Sequence, residues 1–177
     1  MNYTIAARPT NYRGTQMRSR LEATYAELCD NFQLPWQYEP GALAGTQGQW
    51  LPDFVHTIDY GDDRVDYHYT TTNVYVDIKP PPWPFSPDAE ATLTKWANTV
   101  AECDPGSLAV AALPVAGKGI VYVGRHLTDG AAGRNWIRAQ VHVGYDTPIW
   151  AITGFRCYTM IEALSLWSYL VAKGAAK

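Results

Sequence analysis

Two aspartates and a lysine in one apolar stretch are the residues of this chain best suited to chemistry. Leu51-Pro52-Asp53-Phe54 opens the stretch and Val74-Tyr75-Val76-Asp77-Ile78-Lys79-Pro80 closes it. Side chains alternate across a strand, so Asp77 and Lys79 share one face while Val74, Val76 and Ile78 take the other, toward a core. The turn-rich residues between, Asp59 to Arg64, predict a hairpin. Folded symmetrically about Val65, it sets Asp53 directly opposite Asp77. Like charges facing each other across a sheet are destabilising, and a cation between them removes the conflict. Few carboxylates and hard oxygen ligands suit Mg²⁺, which keeps some of its own water. A lysine beside such an ion orients or polarises a water, or stabilises charge on a phosphate. That is chemistry for phosphodiester hydrolysis. The same residues also fit a plainer account: an aspartate at a strand entry after a proline, and an exposed Asp77–Lys79 ion pair.

The elements around this stretch are read from periodicity. A helix is expected from Thr15 to about Phe32, with Met17, Leu21, Tyr25, Leu28 and Phe32 on one face. Glu22 sits at the rim of that stripe. It can pair with Arg18, or close a capping box if the helix starts at Ser19. Leu34 to Pro40 reads as a short strand and Gly41 to Gly48 as a loop. Leu51 to Tyr60 is a second strand, Val65 to Thr72 an arm, and Asn73 to Lys79 a third strand. The prolines from Pro80 to Pro84 stop it. A second helix follows over Asp88 to Glu102, and Leu108 to Leu113 is a buried strand parallel to an earlier one. The order α-β-β-β-α-β is that of an α/β layer fold. Beyond it, Gly119 to Val123, Trp136 to Val143 and Ile149 to Thr153 are expected strands, Asp129 to Gly133 a loop, and Thr159 to Lys173 a closing helix.

Composition bounds the class. A chain of 177 residues is expected to form one domain with a sizeable core. Apolar content of 47% with 18% charged residues argues against disorder. Cys29, Cys103 and Cys157 are too far apart for a C-x-x-C pair, so neither a disulfide framework nor a zinc site is indicated. The four histidines are scattered and read as core or surface residues. Without an apolar leader or a long apolar run, the chain is expected to be cytoplasmic, with no membrane partner. No phosphate loop or G-x-S-x-G is present, and no organic cofactor is expected. Charge is unevenly spread. Residues 1–20 carry Arg8, Arg13, Arg18 and Arg20 and no acid, residues 21–104 are strongly acidic, and residues 105–177 are basic again. This fits a metal site bordered by phosphate-binding surfaces, and equally an ordinary solvated surface.

The set Glu22 on a first helix, Pro52-Asp53 on one strand and Asp77-Ile78-Lys79 on the next resembles the PD-(D/E)xK nucleases, the restriction-endonuclease-like superfamily. Arg18 to Ala23, Tyr38-Glu39-Pro40 and Leu51 to Phe54 look in particular like small nuclease-like proteins of phages and mobile elements. The resemblance covers about residues 12–114. It implies a restriction-endonuclease-like core, a mixed sheet flanked by helices, to which the C-terminal strands and closing helix read above are additions. It also implies a Mg²⁺-dependent DNA endonuclease, with Mn²⁺ able to substitute, in the host cytoplasm if phage-encoded. Asp53, Asp77 and the main-chain carbonyl of Ile78 would hold the metal, and Lys79 would position or activate the attacking water. Glu22 would be an accessory ligand, and Glu39 is a weaker candidate for the same role. The strand acid is Asp where Glu is commoner, which shifts the metal. Arg13, Arg18 and Arg20, with Arg125, Arg134 and Arg138 from the far end, are candidates for DNA phosphates, though each also reads as a solvated arginine. A chain this small would cut both strands as a homodimer or by nicking twice. The alternative is a nuclease-fold protein without catalysis, serving in DNA binding, phage assembly or host interaction.

Overall fold

The computed structural model describes residues 7–31, 34–61, 69–80, 87–115, 119–125, 137–141 and 157–158. Its elements begin with two short strands, β1 (Thr10–Tyr12) and β2 (Thr15–Met17), before helix α1 (Arg20–Asn31). Thr15–Met17 is therefore strand, where the apolar spacing predicts helix. The cause is the two-residue loop Arg13-Gly14. Both residues have positive φ, 49° and 87°, as a tight hairpin loop of the primed kind requires. The register Thr10↔Met17 turns Met17 into the core, where it is fully buried.

Ser19 stops the strand and starts the helix. Its Oγ accepts the Glu22 N–H at 3.2 Å and donates to Glu22 Oε1 at 2.9 Å, a reciprocal cap of the Ser-x-x-Glu kind. At the other end of α1, Asp30 accepts from Tyr12 Oη (2.8 Å) and Trp36 Nε1 (2.9 Å).

Next come β3 (Gln37–Tyr38), β4 (Leu43–Gly45), β5 (Gly48–Trp50), β6 (Phe54–Gly61) and β7 (Tyr69–Ile78). The expected loop over Gly41 to Gly48 is instead mostly the β4–β5 hairpin, with Gly48 at φ 110°. Its tip docks on the second helix, α2 (Pro87–Cys103), where Glu102 accepts from Thr46 N and Oγ1 at 2.7 Å each. The chain then forms β8 (Leu108–Val115), β9 (Gly119–Arg125), β10 (Ile137–Val141) and β11 (Cys157–Tyr158).

The main sheet has the order β11-β10-β9-β8-β7-β6-β3 and is mixed, because β7 and β8 run parallel while the other neighbours are antiparallel. The β7–α2–β8 crossover supplies the long connection a parallel pair needs. The β6–β7 register runs from Phe54↔Val76 to Gly61↔Tyr69, symmetric about position 65 as expected from the sequence.

Strand alternation sorts the core into two layers. Val74, Val76, Ile78, Val110 and Ala112 meet α1 through Tyr25, Leu28 and Cys29. Ala109 and Ala111 face Leu93, Trp96 and Val100 of α2, with Trp50 and Tyr75. The fold is thus α/β, one mixed sheet between two helices. Around the sheet the elements run α1-β3-β6-β7-α2-β8, the expected α-β-β-β-α-β. The expected C-terminal strands at Gly119 and Trp136 are present as β9 and β10; β11 is an addition. The strand over Ile149 to Thr153, the loop Asp129 to Gly133 and the helix Thr159 to Lys173 lie outside the described residues, as does the first half of the Val65 to Thr72 arm, whose second half is the start of β7. Among the described residues, no helix is long and apolar enough to cross a membrane.

Candidate functional site

One edge of the sheet collects the polar residues. Asp53 stands one residue before β6, Asp77 is the penultimate residue of β7, and Lys79 follows one residue beyond its end. The start of α1 comes to the same edge. Extending the β6–β7 register by one step pairs Asp53 with Asp77. Both are buried, at 5% and 7% exposure, and Lys79 Nζ lies 2.5 Å from Asp77 Oδ2. Lys79 stays fixed at its backbone, where its N–H donates to Ala112 O at 3.0 Å and prolongs the parallel ladder.

Asp53 is held on every side. Its Oδ2 accepts the Ile78 N–H at 2.7 Å, and its Oδ1 accepts Arg18 Nη2 in an ion pair. Its main-chain carbonyl takes the Glu39 N–H at 2.9 Å. Burial, followed by the charge of Asp77 and a hydrogen bond with it, pushes the Asp53 carboxyl up to about 8, while the Ile78 N–H works the other way. The Arg18 guanidinium also favours the charged form, so burial, with the opposing acid second, outweighs both. A buried acid pair of this kind retains a proton more readily than two isolated aspartates.

Arg18 spans the site. Its Nε reaches Glu39 Oε1 at 3.1 Å while Nη2 reaches Asp53. Half of its side chain remains exposed, at 51%. Its backbone is pinned, with its N–H shared between Glu22 Oε2 (3.0 Å) and Tyr38 Oη (3.1 Å). Glu39 itself adopts φ 45°, a left-handed conformation that few non-glycine residues take, and this turn carries its carboxylate beside Arg18.

The structure brings Asp53, Asp77, Lys79 and Arg18 together. Glu22 lies next to them, but both its oxygens are engaged: Oε1 by Ser19, and Oε2 by the Arg18 N–H and by Tyr38 Oη at 2.7 Å. It acts here as the cap of α1. Arg13 is elsewhere, paired with Asp30 at 3.0 Å near the far end of α1. Arg20 is exposed on the first turn of α1. Arg138 lies on β10 and Arg125 at the end of β9, while Arg134 lies outside the described residues.

Two residues have roles in the site that the sequence does not signal. Tyr38 ties Glu22 to Arg18. Trp96 lies beneath Lys79, with Nζ 5.2 Å from its ring centroid, and stacks on Trp50 at 4.9 Å and 12°. Neither aromatic sits near the motif in sequence, so only the folded sheet brings them there.

As donors, two aspartates and the neighbouring Ile78 main chain are hard oxygens, and they fit Mg²⁺ or Mn²⁺ held openly with several waters. They do not make a closed cage: among the described residues, no group of three His, Cys, Asp or Glu side chains is gathered to hold an ion. Comparison with protein-family models, with curated proteins and with solved structures finds no match to this chain.

Proposed function

We propose that this chain is a metal-dependent DNA endonuclease of the PD-(D/E)xK kind, with a restriction-endonuclease-like core. The observation that carries the reading is the β6–β7 register, which sets Asp53 across from Asp77 with Lys79 Nζ 2.5 Å from the second acid. The α1-β3-β6-β7-α2-β8 order around a mixed sheet supports it.

In this reading Asp53, Asp77 and the Ile78 carbonyl hold Mg²⁺ or Mn²⁺. When bound, the ion supplies Lewis-acid neutralisation of phosphate charge and eases ionisation of a water. Lys79 Nζ orients the attacking water and offers positive charge to the phosphate as one P–O ester bond breaks. Trp96 and Asp77 fix where that nitrogen sits. Arg18, half exposed at the site, and Arg20, exposed on the first turn of α1, are the candidates for phosphate contacts, and Glu22 supports the site by anchoring the backbone of Arg18.

The test is cleavage of supercoiled plasmid and of a synthetic four-way junction, in Mg²⁺ or Mn²⁺, by wild type, Asp77→Ala and Lys79→Ala. Cutting by wild type alone, stopped by chelator, is the expected result. No cutting in either metal, or equal cutting by the variants, ends the catalytic assignment.

One observation favours a second reading. Arg18 and Lys79 already neutralise the two acids through ion pairs, a self-sufficient network. A nuclease-fold protein that binds DNA or a phage component without cutting would keep such a network for stability. Calorimetry with Mn²⁺ separates the two: absence of binding favours this reading, and binding lost in Asp53→Asn favours the enzyme.

A further inference from the structure

We propose that Arg18 is the resident counter-cation of Asp53, and that a divalent cation binds only by displacing its guanidinium. The proposal rests on the nuclease reading, whose metal site it regulates.

Three features of the geometry carry it. First, Arg18 occupies the oxygen that Asp53 has left. Oδ2 already accepts the Ile78 N–H, so Oδ1 is the oxygen with more lone-pair capacity for a cation, and Nη2 is on it. Positive ions this close repel strongly in a buried setting, so the guanidinium and a divalent cation exclude each other.

Second, Arg18 has somewhere to go. The Asp53 end of the ion pair is buried, while the arginine side chain is half exposed and its Nε is bound to Glu39, a rim carboxylate with 37% side-chain exposure. Leaving Asp53 therefore does not strand a charge in the interior. The guanidinium can stay on Glu39 and turn its free edge to solvent.

Third, the pivot is fixed. The Arg18 N–H is held by Glu22 and Tyr38, and the residue lies between the end of β2 and the Ser19 cap. The backbone stays put while the side chain swings. The left-handed turn at Glu39, clamped by its N–H to the Asp53 carbonyl, keeps both docking carboxylates on one short arc. Asp77 has its own counter-cation in Lys79, which the proposed chemistry retains, so Arg18 is the cation that must move.

The experiment is calorimetric titration of Mn²⁺ into wild type, Arg18→Gln, Arg18→Lys and Asp53→Asn at one pH and salt concentration. Circular dichroism serves as the check of folding. Arg18→Gln is expected to bind Mn²⁺ roughly tenfold more tightly than wild type, since the competitor is gone. Arg18→Lys separates contact from charge. It keeps the positive charge but cannot fork between Glu39 and Asp53, so displacement predicts an affinity between wild type and Arg18→Gln. Simple repulsion at a distance predicts an affinity equal to wild type, and that result overturns the proposal. Equal binding by wild type and both Arg18 variants, with loss in Asp53→Asn, also overturns it and leaves the metal site standing. No binding by any of the four proteins removes the metal site itself, and the exchange with it.

Discussion

At the scale of single residues, the polar groups of the core have fixed protonation states, and one of them makes a test. His56 sits in β6 with its Nδ1 donating to Pro35 O at 2.7 Å and its Nε2 accepting from Tyr25 Oη at 2.6 Å, the arrangement of a neutral ring. Burial pulls its pKa down to about 4, against the hydrogen bond to the Pro35 carbonyl, which works upward. Between about pH 6.5 and 4 the unfolded chain then binds a proton that the folded one refuses. Stability is therefore fully present above pH 6.5 and is lost as pH falls through this window, by about 3 kcal/mol. Asp53 works in the opposite sense, because its raised carboxyl takes a proton on the folded side as pH falls from 8. Urea denaturation of wild type and His56→Gln at pH 7.5 and 4.5 isolates the histidine. The wild-type midpoint should fall more than that of the variant, and parallel shifts would remove the histidine from the account. Ser19 makes a second test. Ser19→Ala deletes the cap of α1 and is expected to cost about 1 kcal/mol, read as a lower denaturation midpoint.

At the scale of elements, what was legible in the sequence is what strong alternation wrote there. The symmetric hairpin about position 65 and the pairing of Asp53 with Asp77 follow from two runs of alternating residues, and β8 announces itself as a short apolar run after a helix. The β1–β2 and β4–β5 hairpins were illegible for the opposite reason. Three-residue strands carry too little periodicity, and Met17 happens to continue the apolar stripe of α1, so the spacing extends the helix over a three-residue strand. The remaining signal was Arg13-Gly14, a two-residue loop with both φ positive. Gly14→Ala meets no neighbouring atom but must hold φ 87°, so it should lower stability by about 1 kcal/mol. The part α2 plays in the site was not legible. Trp96, whose ring lies under Lys79, is indistinguishable in sequence from Leu93 or Val100. Under the proposed nuclease reading, Trp96→Leu should lower plasmid cleavage roughly tenfold through misplacement of Lys79. Leu93→Ala, which loosens the same cluster without touching that lysine, should lower stability and leave turnover near wild type. Equal losses of activity in the two variants would reduce Trp96 to packing.

At the scale of the whole molecule, the sheet puts an unfavourable pair where its two faces and two helices meet. β6 begins and β7 ends at the same edge, and α1 begins there as well. Asp53 and Asp77 are buried there because the surrounding layers, Val76, Ile78 and Ala112 toward α1 and Trp96 and Ala111 toward α2, leave them little access to solvent. Folding accepts two acids at close range and offsets their repulsion with Arg18 and Lys79. A cation that binds only the folded chain should then stabilise the entire domain, by about 2.7 kcal/mol at a hundred times its dissociation constant. For a domain of this size that is a rise in Tm of roughly 5–10 °C. Scanning calorimetry in 10 mM Mg²⁺ against EDTA reads it directly. Asp53→Asn should show no rise, because the buried pair is broken and with it the reason for a cation. A wild-type Tm that ignores Mg²⁺ and Mn²⁺ up to that concentration would mean the two internal cations suffice, and the acids would then belong to the architecture of the sheet edge rather than to hydrolysis.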